Sequence, residues 1–217
     1  MKENIIKPKV IKLGFLGAQN VGKTVICNQY LGLGFSSDFL TTIGQNKLDT
    51  KYKLQNGEEI KLILWDTSGA ERFISSNLTA IRMVQGIILV FDVTFKSSLN
   101  FLDMMINGIK ERLNNPILVL FANKVDIDKS MWNVSIEEMH QFAEKNKIPL
   151  FETSAKTGKG IMEGLSYIVN EIHDKKSLEI NNNIMINKRP SRRTNDDSVC
   201  IINKKIREYN NNKKNNV

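Results

Sequence analysis

A three-layer α/β fold, with a mostly parallel six-stranded sheet between helices on both faces, is what this 217-residue sequence predicts. Two observations carry it. Short, near-continuous apolar runs alternate with stretches of helical period, and a glycine-rich segment joins the first run to the first helical stretch. Runs that lack polar alternation suit strands covered on both faces. Strands that alternate with helices need right-handed crossovers, and so a parallel sheet.

The elements follow in order. VIKLGFLG (10–17) reads as the first strand, and residues 22–32 as a helix. KLDTKYKL (47–54) alternates polar and apolar, which marks an edge strand. IKLILWD (60–66), GIILVFDV (86–93) and ILVLFANK (117–124) read as buried strands, and IPLFET (148–153) as a short one. Helices are expected at 97–113, 135–146 and 159–174. Ser135 followed by Glu138 has the spacing of a capping box, in which each side chain satisfies a backbone N–H of the first turn.

The texture changes near residue 175. Residues 175–217 hold eleven Lys or Arg against four Asp or Glu, a surplus of seven out of the chain's +8. Eleven Asn and few apolar residues accompany them. Such a segment buries too little to offset its ordering entropy, so 1–174 is expected as one domain and 175–217 as a basic, disordered tail, with a short stub continuing the last helix. The basicity therefore says little about the domain's ligand. Nucleic-acid binding is not expected, because Tyr209 is the tail's single aromatic. Two cysteines, Cys27 and Cys200, imply no disulfide framework. The apolar runs are too short to span a bilayer, and a cytoplasmic protein is expected.

Residues 17–24 read GAQNVGKT, matching G-x-x-x-x-G-K-[ST] between a strand and a helix. Gly17, Gln19, Asn20, Val21, Gly22 and Val25 belong to a loop and helix start whose backbone N–H groups can cradle phosphate oxygens. Lys23 is positioned to reach the outer phosphates and Thr24 to ligate Mg²⁺. The base is read elsewhere. Asn123-Lys124-Val125-Asp126 follows the strand ILVLFA. A carboxylate at Asp126 accepts from both N1–H and the N2 amine of guanine, and adenine offers no such donor pair. Rejection of adenine on the order of 10⁴-fold follows. Ser154, Ala155 and Lys156 lie in Thr-Ser-Ala-Lys (153–156), whose amides can meet the guanine O6.

These motifs, with TTIG (41–44), WDTSGAERF (65–73) and GIILVFDVT (86–94), resemble the small GTPases of the Ras superfamily, nearest the Rab branch, over residues 8–174. The resemblance implies GTP or GDP with Mg²⁺. It implies Thr42 as the switch threonine that senses the γ-phosphate and helps ligate the metal, Asp66 as a metal-holding carboxylate acting through water, and Gly69 as a γ-phosphate donor. Phe35 is implied at the guanine edge. It further implies effectors, an exchange factor, a GTPase-activating protein and a switch in vesicle traffic; a monomer is expected.

The departures narrow that reading. Ala70 stands where the family has the water-positioning Gln, so intrinsic hydrolysis is expected to be slow. A hydrolysis-deficient GTP-binding scaffold is the alternative. Gln19 and Asn20 replace small residues. Gln19 either crowds the γ-phosphate or stands in for the missing Gln, with crowding favoured. Asn20 tolerates positive φ. Lys47 replaces an aromatic, and Ala80-Ile81 replaces a tyrosine pair, on the surface that effectors meet. The chain end lacks a prenylation motif. Cys200 among basic residues offers a second-signal membrane contact on the cytosolic face of an endomembrane, weighed against a free thiol in a solvated tail.

Overall fold

A computed structural model describes residues 10–35, 45–69, 84–112 and 116–187. The six strands are β1 (Val10–Leu16), β2 (Gln45–Lys53), β3 (Glu59–Thr67), β4 (Gly86–Asp92), β5 (Ile117–Asn123) and β6 (Leu150–Glu152). They form one sheet in the order β2-β3-β1-β4-β5-β6. Every pairing is parallel except β2 with β3. The alternating segment is thus the antiparallel edge strand. Tyr52 is buried, while Lys47, Asp49, Lys51 and Lys53 are exposed. All seven residues of β4, at the sheet centre, are buried.

The described helices are α1 (Lys23–Tyr30), α2 (Lys96–Arg112), α3 (Ile136–Asn146) and α4 (Ile161–Asn187). Alternate strand residues feed two cores. Ile11, Leu13, Phe15, Leu62, Val90 and Phe121 meet α1 and α4 through Ile26, Leu165 and Ile168. Leu16, Ile87, Leu89, Phe91 and Leu120 meet α2 and α3 through Leu102, Ile106 and Met139. The capping box forms: Ser135 Oγ accepts from the Glu138 N–H, and Glu138 accepts from the Ser135 N–H. Glu138 also pairs with Lys96, which ties α3 to the start of α2.

Helix α4 continues past residue 174 as far as Asn187. Once a helix exists, each further residue adds a hydrogen bond without a new nucleus. Lys175, Lys176, Leu178 and Glu179 are good helix formers. By compactness the chain divides into Met1–Ser177 and Leu178–Val217. Among the described residues no helix is long and apolar enough to cross a membrane.

Strand order reverses direction at β1, which lies between β3 and β4. In open α/β sheets, the crevice outside the carboxyl ends of the strands at such a point is where ligands sit. The glycine-rich loop follows the carboxyl end of β1 directly.

Candidate nucleotide-binding site

The loop between β1 and α1 is shaped by Gly22, the N-cap of α1, with φ 100° and ψ 20°. That left-handed conformation favours glycine. Space demands it too: a Cβ there would lie 2.4 Å from Asn123 Nδ2. Asn20 is also left-handed, with φ 63°, so the loop keeps its shape with Asn where the family has a small residue.

Lys23 is buried and its ammonium donates to the carbonyls of Gly17 (2.9 Å) and Ala18 (2.8 Å). The side chain thereby runs back under the loop. Burial lowers its pKa from 10.5 to about 8, and the carboxylate of Asp66 partly opposes that shift. Thr24 Oγ1 donates to Asp66 Oδ2 at 2.7 Å. Asp66 is fully buried and desolvation raises its pKa. Its Oδ1 has no hydrogen-bond partner among the described residues. A buried carboxylate oxygen without a donor is costly, which points to a cation as its missing neighbour. Gly69 closes this side of the site. A Cβ on it would lie 2.4 Å from Ala18 C and O and from Gln19 N, so this close approach admits only glycine.

The base side is stitched together by Asn123. Its Nδ2 donates to the Val21 carbonyl (2.7 Å), and its Oδ1 accepts from the Ala155 N–H (3.1 Å) and from Thr153 Oγ1 (3.4 Å). One buried amide thus joins the phosphate loop, the end of β5 and the loop after β6. Asp126 is exposed, and its Oδ1 accepts from Ser154 Oγ at 2.7 Å. Ser154 Oγ in turn accepts from the Thr157 N–H at 3.1 Å. This relay fixes the carboxylate before any ligand arrives. Ala155 is buried, whereas Lys156 and Gln19 are exposed. Phe35 is 49% exposed, an aromatic face turned to solvent rather than packed in the core.

The structure therefore brings Gly17, Val21, Gly22, Lys23, Thr24, Asp66 and Gly69 together on one side, and Asn123, Asp126, Ser154 and Ala155 on the other, with Asn123 bridging them. Val25 lies in α1 within the core. Thr42, Ala70, Ala80, Ile81 and Cys200 lie outside the described residues. Two contributors lie inside motifs of the sequence but are not read from it as site residues. Thr153 supports Asn123, and Asp92 pairs with Lys124 at 2.6 Å. Only strand register, which sets Asp92 beside Asn123, brings the second pair together.

A phosphate-binding loop at the switch point of a parallel sheet, with a pre-oriented carboxylate at the neighbouring strand ends, defines a nucleotide-binding α/β domain. The sequence profile of the Ras family matches residues 12–174. Ras-related protein RAB1BV of Beta vulgaris is 35% identical over 166 residues, which cover 75% of this chain and 76% of the relative. The Ypt/Rab-type GTPase ypt7 of Schizosaccharomyces pombe is 36% identical over 168 residues, covering 75% and 82%. Ras-related protein Rab-27A of Rattus norvegicus is 34% identical over 174 residues, covering 75% and 78%. The chain belongs to the Ras family of small GTPases and stands close to the Rab proteins.

Proteins of this family bind GTP or GDP with Mg²⁺. The residues present fit that ion. Mg²⁺ keeps several waters and takes one or two protein oxygens beside the phosphates. Thr24 Oγ1 and the Asp66 carboxylate, whose Oδ1 lacks a partner among the described residues, would hold it, the latter through water. When bound, the ion supplies positive charge against the phosphates.

Proposed function

We propose that the chain is a GTP/GDP switch of the Rab type, acting in vesicle traffic, whose own hydrolysis is slow and relies on a partner. The observation that supports it best is the pair of subsites joined by Asn123: a lysine-bearing phosphate loop and a guanine-reading carboxylate. Effectors, an exchange factor and a GTPase-activating protein are the partners this implies. The residues that hold nucleotide are those of the two clusters, with Phe35 and Lys124 flanking the base. Thr42, with Gly69, senses the γ-phosphate.

Slow turnover rests on Ala70. A methyl group cannot orient the attacking water, and family members without help already turn over at ~10⁻⁴ s⁻¹. A hydrolysis-deficient scaffold held in one state is the second reading, and Ala70 favours it too. Single-turnover hydrolysis of radiolabelled GTP decides. The intact chain is expected to be slower than that rate, and Ala70→Gln to raise the rate roughly 10- to 100-fold, the scale of a well-placed reactant. A wild-type rate equal to that of the Gln variant would sink the slow-turnover reading. No hydrolysis with any activating protein would favour the scaffold.

Gly69→Ala supplies a sharper probe of the γ-phosphate side. The new Cβ meets backbone rather than a flexible side chain, so Gly69 must move off the phosphate loop. Its proposed N–H contact to the γ-phosphate is then lost. GTP affinity is expected to fall by about 10-fold, the worth of one good hydrogen bond to a charged group, with GDP affinity little changed. An equal loss for both nucleotides, read by competition with a fluorescent analogue, would assign Gly69 to the fold alone.

The effector-facing surface differs from an aromatic one. Lys47 stands directly opposite Trp65 in the β2–β3 ladder. Asp49 lies 3.2 Å from Lys47 and 2.7 Å from Lys61, and these two ammonium groups hold its carboxyl below the usual range. This charged, water-facing cluster supports a partner set distinct from one that buries a Phe at position 47. For the basic tail, a solvated segment with a free Cys200 thiol is the first reading, and a two-signal membrane contact at the cytosolic face is the second.

A further inference from the structure

We infer that Asp92 is a positioning residue of the base site: it holds the Lys124 ammonium at the end of β4 and so leaves the Asp126 carboxylate free for guanine. The inference rests on the reading of Asn123–Asp126 as the base site. Asp92 ends β4 beside Asn123 and is buried. Its Oδ1 accepts from the Thr94 N–H (2.8 Å) and from Thr94 Oγ1 (2.7 Å). Its Oδ2 lies 2.6 Å from Lys124 Nζ. The Asp92 N–H donates to Ser98 Oγ at 3.0 Å, which anchors the strand end to the start of α2. Lys124 itself has φ 69°, a left-handed turn that a lysine adopts only when its surroundings impose it.

Two carboxylates thus compete for one ammonium. Asp126, two residues from Lys124, is exposed and forms no ion pair among the described residues. Asp92 wins for a physical reason. Its carboxylate is buried, so it must be paired, and the low local dielectric strengthens the pair. An ion pair at the exposed Asp126 is worth little. The outcome matters for recognition. Asp126 meets the ligand with its second oxygen uncommitted, so guanine's donors need displace no cation. The Lys124 stem is held in one place, which removes its rotamer freedom before the base arrives.

The test is a double-mutant cycle on the full chain, read as the dissociation rate of fluorescent GDP. D92N frees Lys124 to pair with Asp126, and the rate is expected to rise about tenfold, within the range of coupling seen for contacting residues. K124M keeps the stem but removes the charge. In the K124M background D92N is expected to change the rate by less than about twofold, because its effect passes through Lys124. Equal D92N effects in both backgrounds, or a D92N rate close to wild type, would overturn the inference. If D92N does not fold, Thr94→Val removes one donor to the same carboxylate and keeps its charge. A rise of about threefold is expected there, absent with K124M; a rise that persists with K124M overturns the role. A wild-type chain that does not retain GDP overturns the base-site reading along with it, whereas additivity overturns Asp92 alone.

Discussion

Lys23→Met is expected to lower GDP affinity by about 10³-fold, the loss typical of removing one partner from a buried charge pair. The nucleotide-free fold should change far less, because two effects oppose each other there. The wild-type ammonium is buried against its preference: the shift from 10.5 to about 8 corresponds to ~3 kcal/mol, which the variant recovers. The carbonyls of Gly17 and Ala18 lose their donor, at ~1 kcal/mol each. Thermal unfolding of the nucleotide-free chain should therefore move by only a few degrees. Retained binding, measured by filter binding or calorimetry, would show that Lys23 does not face the phosphates.

The same shift sets a pH dependence. Without nucleotide, Lys23 is protonated below about pH 8 and loses its proton above it. Phosphate oxygens favour the charged form and restore the pKa toward its ordinary value. Binding at pH 7 thus takes up little, whereas it takes up about half a proton at pH 8 and close to one at pH 9. Affinity is expected to fall by about fivefold from pH 8 to pH 9, approaching tenfold per pH unit only above that. Calorimetry in buffers of different ionisation enthalpy measures the uptake directly; no uptake at pH 9 would contradict the assigned environment of Lys23.

The second large effect concerns the base. Asp126→Asn keeps one acceptor for N1–H but turns an N–H₂ donor toward the guanine N2 amine, donor against donor. Xanthine carries a carbonyl at that carbon and accepts the new donor. The preference for GDP over xanthosine diphosphate is expected to shift by about 10⁴-fold, the scale on which a hydrogen-bonding site rejects a mismatched partner. The Ser154 Oγ contact to the carboxylate survives with the amide oxygen, so the loop should keep its shape. Competition of both diphosphates against one fluorescent nucleotide reads the shift. Unchanged preference would move base recognition away from Asp126.

Much of this site was legible before any coordinate. GAQNVGKT specifies its own geometry, because strand, loop and helix are contiguous and glycine marks where the chain must turn left-handed. The expected strands match β1 to β6 within a few residues, since runs such as GIILVFD are too apolar to lie anywhere but inside a covered sheet. The place of Asp126 just past a strand end was readable because its spacing from that apolar strand is local. The length of the last helix past residue 174 was less legible, because propagation depends on a helix already formed.

What the sequence alone determined, then, is the ligand class and the sheet, because both arise from short contiguous patterns. Tertiary structure decided which separated residues share a charge or a hydrogen bond. The Asn123 amide reaches Val21 across 102 positions, and Thr24 meets Asp66 across 42. Asp92 finds Lys124 only because β4 and β5 pair in one register. Such contacts are set by where strands end in the folded sheet, and no periodicity along the chain encodes them.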